Sequence, residues 1–505
     1  MHFLKKYKFE LFFFLSLTII YFISRFYHIL TLPIFTDEAI YVRWAQIAKN
    51  DATWRFISLT DGKQPMFVWM AMITMRLMKD PLFASRAVSV FAGFGTVIGL
   101  FFLGREVFKN RWIGLLSSFL YVLYPFGLVY DRMALYDSLV ATFCVWGLYV
   151  AIFLVRRVRL DVALIAGLVI GGGVLNKSSG FFTVYFLPAT LVLFDYSKKE
   201  RMRRLMKWAL LAVLTIILVY LYYSILRLSP YFHIIAEKDT TFIYPFREWI
   251  HHPFTFFYGN LKGLLDWFVT YVTYPVIALI IGSIFISQRF FKEKSLLIFW
   301  FVAPFVAAAL FGKVLYPRYI LLMTMSLIPL AAYTLYELGK RTKLWIAIAL
   351  GILCLMLYIR ADYFILTDFA HAPIPQSDVT QFVNDWPAGG GVKETVAFFT
   401  EQSQNKKIVI ATEGTYGLMP EAYEISLVDN PNIKIQGLWP IESTFPKMLE
   451  ESSKKYPTYV VFYQPCVSCS NGDQAPIGWP LKLIASYKKG SGDRYLRLYQ
   501  VISLK

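Results

Sequence analysis

The stretch TLPIFTDEAIYVRWAQIAKNDATWRFISLTDGK, Thr31–Lys63, is the first long polar segment of the chain, and its reading decides the fold. It follows an apolar run, Phe9 to Leu30, that is preceded by Lys5, Lys6 and Lys8. That run is too long for a signal peptide and lacks a small-residue cleavage site, so it reads as an uncleaved first membrane span. Just beyond it stand two adjacent carboxylates, Asp37 and Glu38, at the start of the amphipathic stretch Ala39 to Ala48. Acidic residues at a helix start are favoured by the helix dipole. The alternative reading is a base facing a cavity beside the membrane.

Working outward, the chain of 505 residues is 57% hydrophobic and 18% aromatic, with a mean hydropathy of +0.51. A soluble globular chain cannot bury so much apolar surface, so this is a multi-pass membrane protein. The formal charge of +18 does not indicate a nucleic-acid partner. About 37 Lys and Arg against about 18 Asp and Glu lie before residue 360, beside apolar runs, while the remainder is near neutral. Cys144 and Cys354 lie in apolar runs and Cys466 and Cys469 in the tail. The last two admit a local disulfide, a metal half-site or free thiols.

Basic clusters occur at Lys5–Lys8, Arg105–Arg111, Arg156–Arg159, Lys198–Lys207, Arg289–Lys294 and Lys340–Lys343. If all face the cytoplasm, two crossings separate each neighbouring pair. The spans then resolve as Phe9–Leu30, Phe83–Leu103, Trp112–Tyr130, Leu139–Val155, Val162–Leu175, Phe181–Phe194, Trp208–Leu226, Leu264–Ile286, Leu296–Phe311, Tyr319–Leu338 and Leu344–Ile359. The expected fold is mainly α, a polytopic helical bundle of about eleven spans over residues 1–360. The N-terminus is then cytoplasmic, and Gln64–Met78 lies along the outer surface.

A small extracytoplasmic α/β domain follows over residues 361–505. Its predicted strands are Lys407–Ala411, Tyr423–Val428, Thr458–Tyr463, Leu481–Tyr487 and Tyr495–Val501, and its helices Val392–Gln404 and Ser443–Lys455. Gly389, Gly390 and Gly391 follow Trp386 and Pro387 rather than a strand, so they read as a turn and not as a nucleotide-binding fingerprint.

Nearly every unusual polar residue falls in an outward loop. Asp131, Arg132 and Asp137 place three ionisable groups between two spans, where they must pair with one another or face an aqueous cavity. Asn176 to Gly180 breaks two short apolar segments, and its Lys177 is suited to neutralising a phosphate. Lys313 and Arg318, in Tyr316-Pro317-Arg318-Tyr319, repeat this placement, and Lys63 is a further outward cation. His233, His251 and His252 read as interfacial polar groups. Phosphate-loop, Ser/His/Asp and zinc spacings are absent from the sequence.

Carboxylates and cations gathered at one membrane face meet the needs of sugar transfer from a lipid phosphate. Cations stabilise the departing phosphate, a carboxylate takes the acceptor's proton, and a single in-line displacement inverts the anomeric centre. A transporter or flippase of lipid-linked saccharides is the alternative; it calls for polar groups at mid-span depth along a pathway.

The acidic pair, the Arg132 to Asp137-Ser138 run, Lys63 with Pro65, the Lys177 to Gly180 break and the Pro317-Arg318-Tyr319 motif together resemble the GT-C membrane glycosyltransferases. The nearest likeness is to the protein O-mannosyltransferase and aminoarabinose transferase group, glycosyltransferase family 39, over residues 1 to about 360. The resemblance implies Asp37 as general base or acceptor binder, Glu38 as its partner and Asp137 as a second acidic residue of the active site. It makes Lys63, Arg132, Lys177, Arg318 and Tyr319 substrate-binding candidates, and Gln64–Met78 a juxtamembrane helix. The implied partners are a polyprenyl-phosphate sugar donor and a protein, lipid or glycan acceptor in the cell envelope. No cofactor is fixed, and two carboxylates also admit a divalent cation, Mg²⁺ or Mn²⁺. The chain departs from the group's pattern at Gln64, which replaces one Pro of a Lys-Pro-Pro run, and at Asp131, an added acid.

Overall fold

The computed structural model of the protein describes residues 8–464 and 475–502; Cys466 and Cys469 lie outside them. The first helices are α1 (Lys8–Phe26), α2 (Thr36–Asn50), α3 (Met66–Leu77), α4 (Pro81–Phe108), α5 (Arg111–Val122), α6 (Pro125–Asp131), α7 (Tyr136–Arg157) and α8 (Leu160–Asn176). They are followed by α9 (Ser178–Leu193), α10 (Arg201–Ser224), α11 (Ile234–Phe242), α12 (Phe257–Val272), α13 (Tyr274–Phe285) and α14 (Phe291–Phe311). After α15 (Pro317–Thr324) come α16 (Ile328–Arg341) and α17 (Leu344–Thr367).

Among the described residues, six helices are long and apolar enough to cross a membrane, or up to nine when each bent pair counts as one span. The shorter apolar helices α8 and α9 occupy the two other predicted segments. Exposed Phe12, Leu15, Ile19 and Ile23 on α1, and Leu210, Val213, Ile217 and Leu221 on α10, give the bundle an apolar outer face. Lipid requires such a face.

The three bent pairs are α5 with α6 (62°), α12 with α13 (96°) and α15 with α16 (51°). In each, a proline stands at the first or second position of the second helix: Pro125, Pro275 and Pro329. Proline cannot donate to the preceding turn, and its ring crowds the carbonyl there, so the helix restarts in a new direction. At the start of α4, the Asp80 carboxylate accepts the Phe83 N–H at 2.7 Å, with Pro81 following as a favoured first residue. Asn110 does the same for α5, accepting from Trp112 N–H at 2.8 Å.

The break between α8 and α9 is tight. A Cβ on Gly180 would lie 2.4 Å from the Gly173 carbonyl carbon and 2.7 Å from Val174 N, both backbone atoms. Backbone cannot swing aside as a side chain can, so Gly180→Ala is expected to cost about 1–3 kcal/mol. Thermal unfolding in detergent would read this as a lowered midpoint, and an unchanged midpoint would contradict it.

The tail folds into α18 (Val392–Gln402), α19 (Glu421–Leu427), α20 (Lys447–Lys455) and five strands, β1 (Ile408–Glu413), β2 (Ile433–Leu438), β3 (Thr458–Phe462), β4 (Leu481–Lys488) and β5 (Tyr495–Val501). The strand order is β2-β1-β3-β5-β4. β1 runs parallel to both β2 and β3, and β5 is antiparallel to β3 and β4.

Two expectations are corrected here. Tyr423–Val428 is not a strand: Ala422, Tyr423, Ile425 and Leu427 are buried in α19. That helix is held to α2 by Arg43, which pairs with Glu424 at 2.6 Å, and by Gln46, which donates to the Ile425 carbonyl at 2.9 Å. Tertiary contacts override the β-branched and aromatic composition. The strand that the composition did not mark is Ile433–Leu438, at the sheet edge.

This docking places the start of α2. Thr36 donates to the Pro387 carbonyl from both its N–H (3.0 Å) and its hydroxyl (2.9 Å), and Gly389 N–H donates to the Ile34 carbonyl at 2.7 Å. Asp37 therefore sits at a seam between the helical bundle and the segment leading into the sheet.

Candidate functional site

The turn from Phe35 to Glu38 is fixed by Glu38, whose side chain is completely buried. One carboxylate oxygen accepts from Arg86 Nε at 2.8 Å and Ala134 N–H at 2.7 Å. The other accepts from Arg86 Nη2 at 2.7 Å and Phe35 N–H at 3.0 Å. Arg86, inside α4, spends its remaining donors on the carbonyls of Ile29, Leu32 and Pro33. Glu38 thus ties the first loop, α4 and the turn before α7 together, and all its oxygen positions are occupied within the protein.

With Glu38 turned inward, Asp37 points the other way. Its Oδ2 accepts from Arg318 Nη1 at 2.8 Å. The Arg318 guanidinium also lies over the rings of Tyr316 (4.8 Å) and Tyr319 (5.9 Å), a stacking its flat, delocalised cation favours. Burial disfavours the Asp37 carboxylate, but Arg318, Lys63 and Lys177 outweigh it and hold the carboxyl below its ordinary value of 3.8. Asp37 is therefore ionised at neutral pH.

Beside this pair opens a cavity of about 550 Å³. Lys63, Asp137, Lys177, Arg318 and Tyr319 line it, together with Tyr41, Tyr136, Asn176, Ser178, Lys238 and Asp239. Phe181, Phe182, Phe311, Leu315, Leu322 and Met323 form its apolar wall. The segments between α1 and α4, α6 and α7, α8 and α9, α10 and α12, and α14 and α15, or their flanks, all contribute.

Asp137, in the first turn of α7, accepts from Lys177 Nζ at 2.6 Å, and that ammonium lies 4.8 Å from the centre of the Tyr319 ring. Lys63 lies 5.0 Å from the centre of the Phe242 ring and makes no ion pair among the described residues. Burial lowers its pKa, an effect opposed by Asp37 and Asp61. Gln64 donates to the Ser178 hydroxyl at 2.8 Å, Ser178 lies 3.3 Å from Asp239, and Lys238 pairs with Asp61. Tyr136 Oη, Asn176 Oδ1 and Ser179 Oγ are buried without a hydrogen-bond partner among the described residues; all three residues line the cavity, where a polar ligand can satisfy them.

Five of the eight residues singled out from the sequence therefore line one cavity, and Asp37 joins them through Arg318. Glu38 and Arg132 do not. Arg132 donates to the carbonyls of Tyr27 (2.8 Å) and Ile365 (3.4 Å), bracing α1 and α17. Of the two readings of the Asp131–Asp137 loop, pairing of its charges with one another does not occur. Asp131 is instead buried against Arg25 at 3.5 Å and accepts from Ser138, Tyr121 and Tyr21 at 2.8, 3.0 and 3.1 Å.

His233 stays local, its ring nitrogen 3.0 Å from the Pro230 carbonyl, and His252 packs on Tyr244. Cys144 is a buried free thiol and Cys354 a half-buried one. Among the described residues no group of three or more His, Cys, Asp or Glu gathers as a metal-ligand set. Asp37 and Asp137 each pair with a protein cation.

Sequence reading missed Arg86, Arg25, Lys238 and Asp239. The signal for the first two was present, since an arginine inside an apolar span demands a partner. Lys238 and Asp239 lie in a charged run, Glu237-Lys238-Asp239, that resembles a solvated helix face.

Compared with known proteins, residues 62–223 match the family model described as dolichyl-phosphate-mannose-protein mannosyltransferase. A search of curated proteins by sequence finds no match. Among solved structures, ArnT from Cupriavidus metallidurans in the apo state is similar, with a TM-score of 0.57 at 13% identity and 99% of both chains covered. The same protein bound to undecaprenyl phosphate gives a TM-score of 0.54 at 13% identity, again with 99% of both chains covered. The archaeal oligosaccharyltransferase AglB from Archaeoglobus fulgidus, in complex with an inhibitory peptide and a dolichol-phosphate, gives 0.54 at 13% identity, covering 91% of this chain and 69% of that one. The chain thus has the fold of the membrane proteins ArnT and AglB, and within it residues 62–223 match the dolichyl-phosphate-mannose-protein mannosyltransferase model.

Proposed function

We propose that the protein transfers a sugar from a polyprenyl-phosphate donor to a protein, lipid or glycan acceptor outside the cytoplasm, with inversion at the anomeric carbon. The observation that carries this reading is the two-sided cavity: Lys63, Lys177 and Arg318 at its polar end, and an apolar wall of Phe181, Phe182, Leu315 and Leu322. A lipid phosphate needs both. The basic clusters at Arg105–Arg111, Arg156–Arg159 and Lys340–Lys343 support a cytoplasmic N-terminus, a catalytic bundle over residues 1–360 and an extracytoplasmic tail over 361–505.

In the proposed step, the Asp37 carboxylate takes the proton of the acceptor hydroxyl as its oxygen bonds to the anomeric carbon. The bond from that carbon to the phosphate oxygen breaks, and its electron pair leaves with the polyprenyl phosphate. Lys63, the cation without an ion pair, meets the developing negative charge, with Lys177 and Arg318 beside it. Asp137 positions Lys177, and Tyr319 forms the floor under both cations. Glu38 and Arg132 are positioning residues in this scheme.

Asp37→Asn keeps the shape and removes the base, so turnover of a polyprenyl-phosphate sugar is expected to fall at least about a hundredfold. Full transfer by the purified variant would overturn the assignment.

A further inference from the structure

A second cavity lies at the far end of the bundle. The 22-residue helix α7 starts at the site described above, with Tyr136 and Asp137, and ends at Arg157, roughly 33 Å away at helical rise. Around that end is a space of about 700 Å³ bounded by Phe102, Arg105, Glu106, Lys109, Arg111, Trp112, Tyr149, Phe153 and Arg157.

Its walls are graded. Tyr149, Phe153 and Arg157 follow at four-residue steps on one face of α7, and Phe102 precedes Arg105 on α4, so aromatic rings lie towards mid-span and cations at the helix ends. The cations are not equivalent. Lys109 pairs with Glu106, Arg111 with Glu10 at 2.9 Å, and the neighbouring Arg156 with Glu106 and Glu293 at 2.8 and 2.7 Å. Arg105 and Arg157 make no ion pair among the described residues, and the Arg157 guanidinium rests 5.5 Å from the centre of the Phe153 ring. Two exposed guanidiniums without an ion pair among the described residues, one of them resting on an aromatic ring, stand at the ends of two membrane-length helices and complement one ligand chemistry, a phosphate carrying acyl chains.

We propose that this cavity binds an anionic phospholipid, its phosphate held by Arg105 and Arg157 and its chains against Phe102, Tyr149 and Phe153. The site is separate from the sugar-transfer cavity and does not depend on that function.

The protein, purified in neutral detergent, would be titrated with phosphatidylglycerol, phosphatidylcholine or inorganic phosphate, and bound lipid counted by native mass spectrometry. Phosphatidylglycerol is expected to bind in preference to phosphatidylcholine, and Arg105→Gln/Arg157→Gln to weaken that binding tenfold or more. The exposed pair Arg201→Gln/Arg203→Gln, in the first turn of α10, is expected to leave it unchanged. Equal binding of the two lipids, displacement of phosphatidylglycerol by inorganic phosphate at millimolar concentration, or equal loss in the control variant would overturn the proposal. If the double variant does not fold, Arg157→Gln alone, at a helix end, carries the same comparison.

Discussion

Glu38→Gln is expected to destabilise the protein by about 3–5 kcal/mol, the cost of leaving one member of a buried ion pair uncompensated. The carboxylate receives four hydrogen bonds, from Arg86 Nε and Nη2 and from the N–H groups of Phe35 and Ala134. A glutamine offers a single acceptor oxygen and turns its own N–H₂ towards donors. Arg86 is completely buried, so its charge has no water to fall back on. Removing both members with Arg86→Met/Glu38→Leu eliminates the stranded charge but leaves the Phe35 and Ala134 N–H groups without acceptors and the Ile29, Leu32 and Pro33 carbonyls without their donor, at about 1–3 kcal/mol for each buried group. The double variant is therefore expected to be less stable than the parent and no more stable than Glu38→Gln. Thermal unfolding in detergent gives the order. If Glu38→Gln instead unfolds with the parent and is merely inactive, Glu38 acts in the chemistry and its place as a positioning residue is wrong.

The same residue shows what the sequence made legible. The apolar runs and basic clusters locate the helices because lipid demands long apolar segments and the chain must change direction between them. The bends were not read: the predicted spans run straight through Pro125, Pro275 and Pro329, and Pro304 sits within α14 without breaking it. The Asn176–Gly180 break and the Pro317-Arg318-Tyr319 turn were visible as polar interruptions, and both reach the cavity. Direction was not legible. Asp37 and Glu38 are neighbours on one helical turn, yet one meets Arg318 beside the cavity and the other Arg86 in the core, because successive side chains on a helix point about 100° apart. Which faced the cavity depended on where Arg86 stood, and Arg86 is 48 residues away in sequence. Lys238 and Asp61 share the same difficulty: each looks solvated until the two loops are folded together. In the tail, α19 is a helix because α2 gives it a partner for Glu424 and for the Ile425 carbonyl, and nothing local to Tyr423–Val428 announces that partner.

The Arg318–Asp37 pair carries the other large effect. Arg318→Gln is expected to lower kcat/KM about a thousandfold, since one preorganised charged donor at a developing anion accounts for two to three orders of magnitude, and here the same cation also serves the base. The second role has a distinct signature in pH. Asp37 is held below its ordinary carboxyl value chiefly because Arg318, then Lys63 and Lys177, overcome the effect of burial. A depressed value keeps the carboxylate ionised as pH falls, so in the parent protein this group does not limit turnover between about pH 4 and 8. Without Arg318 the burial penalty is no longer offset by its nearest cation, the carboxyl value rises, and the acid limb of the pH–rate profile moves upward into that window. The variant's deficit is then largest at low pH and shrinks as pH is raised. Arg318→Lys retains a charge but not the flat fork that bonds Asp37 while stacking on Tyr316 and Tyr319. It is expected to keep the acid limb near its original position while recovering part of the rate. Profiles of kcat/KM against pH for the three proteins test both roles together. A Gln variant whose deficit is the same at every pH would show that Arg318 acts on the phosphate alone and that Asp37 does not need it to stay ionised.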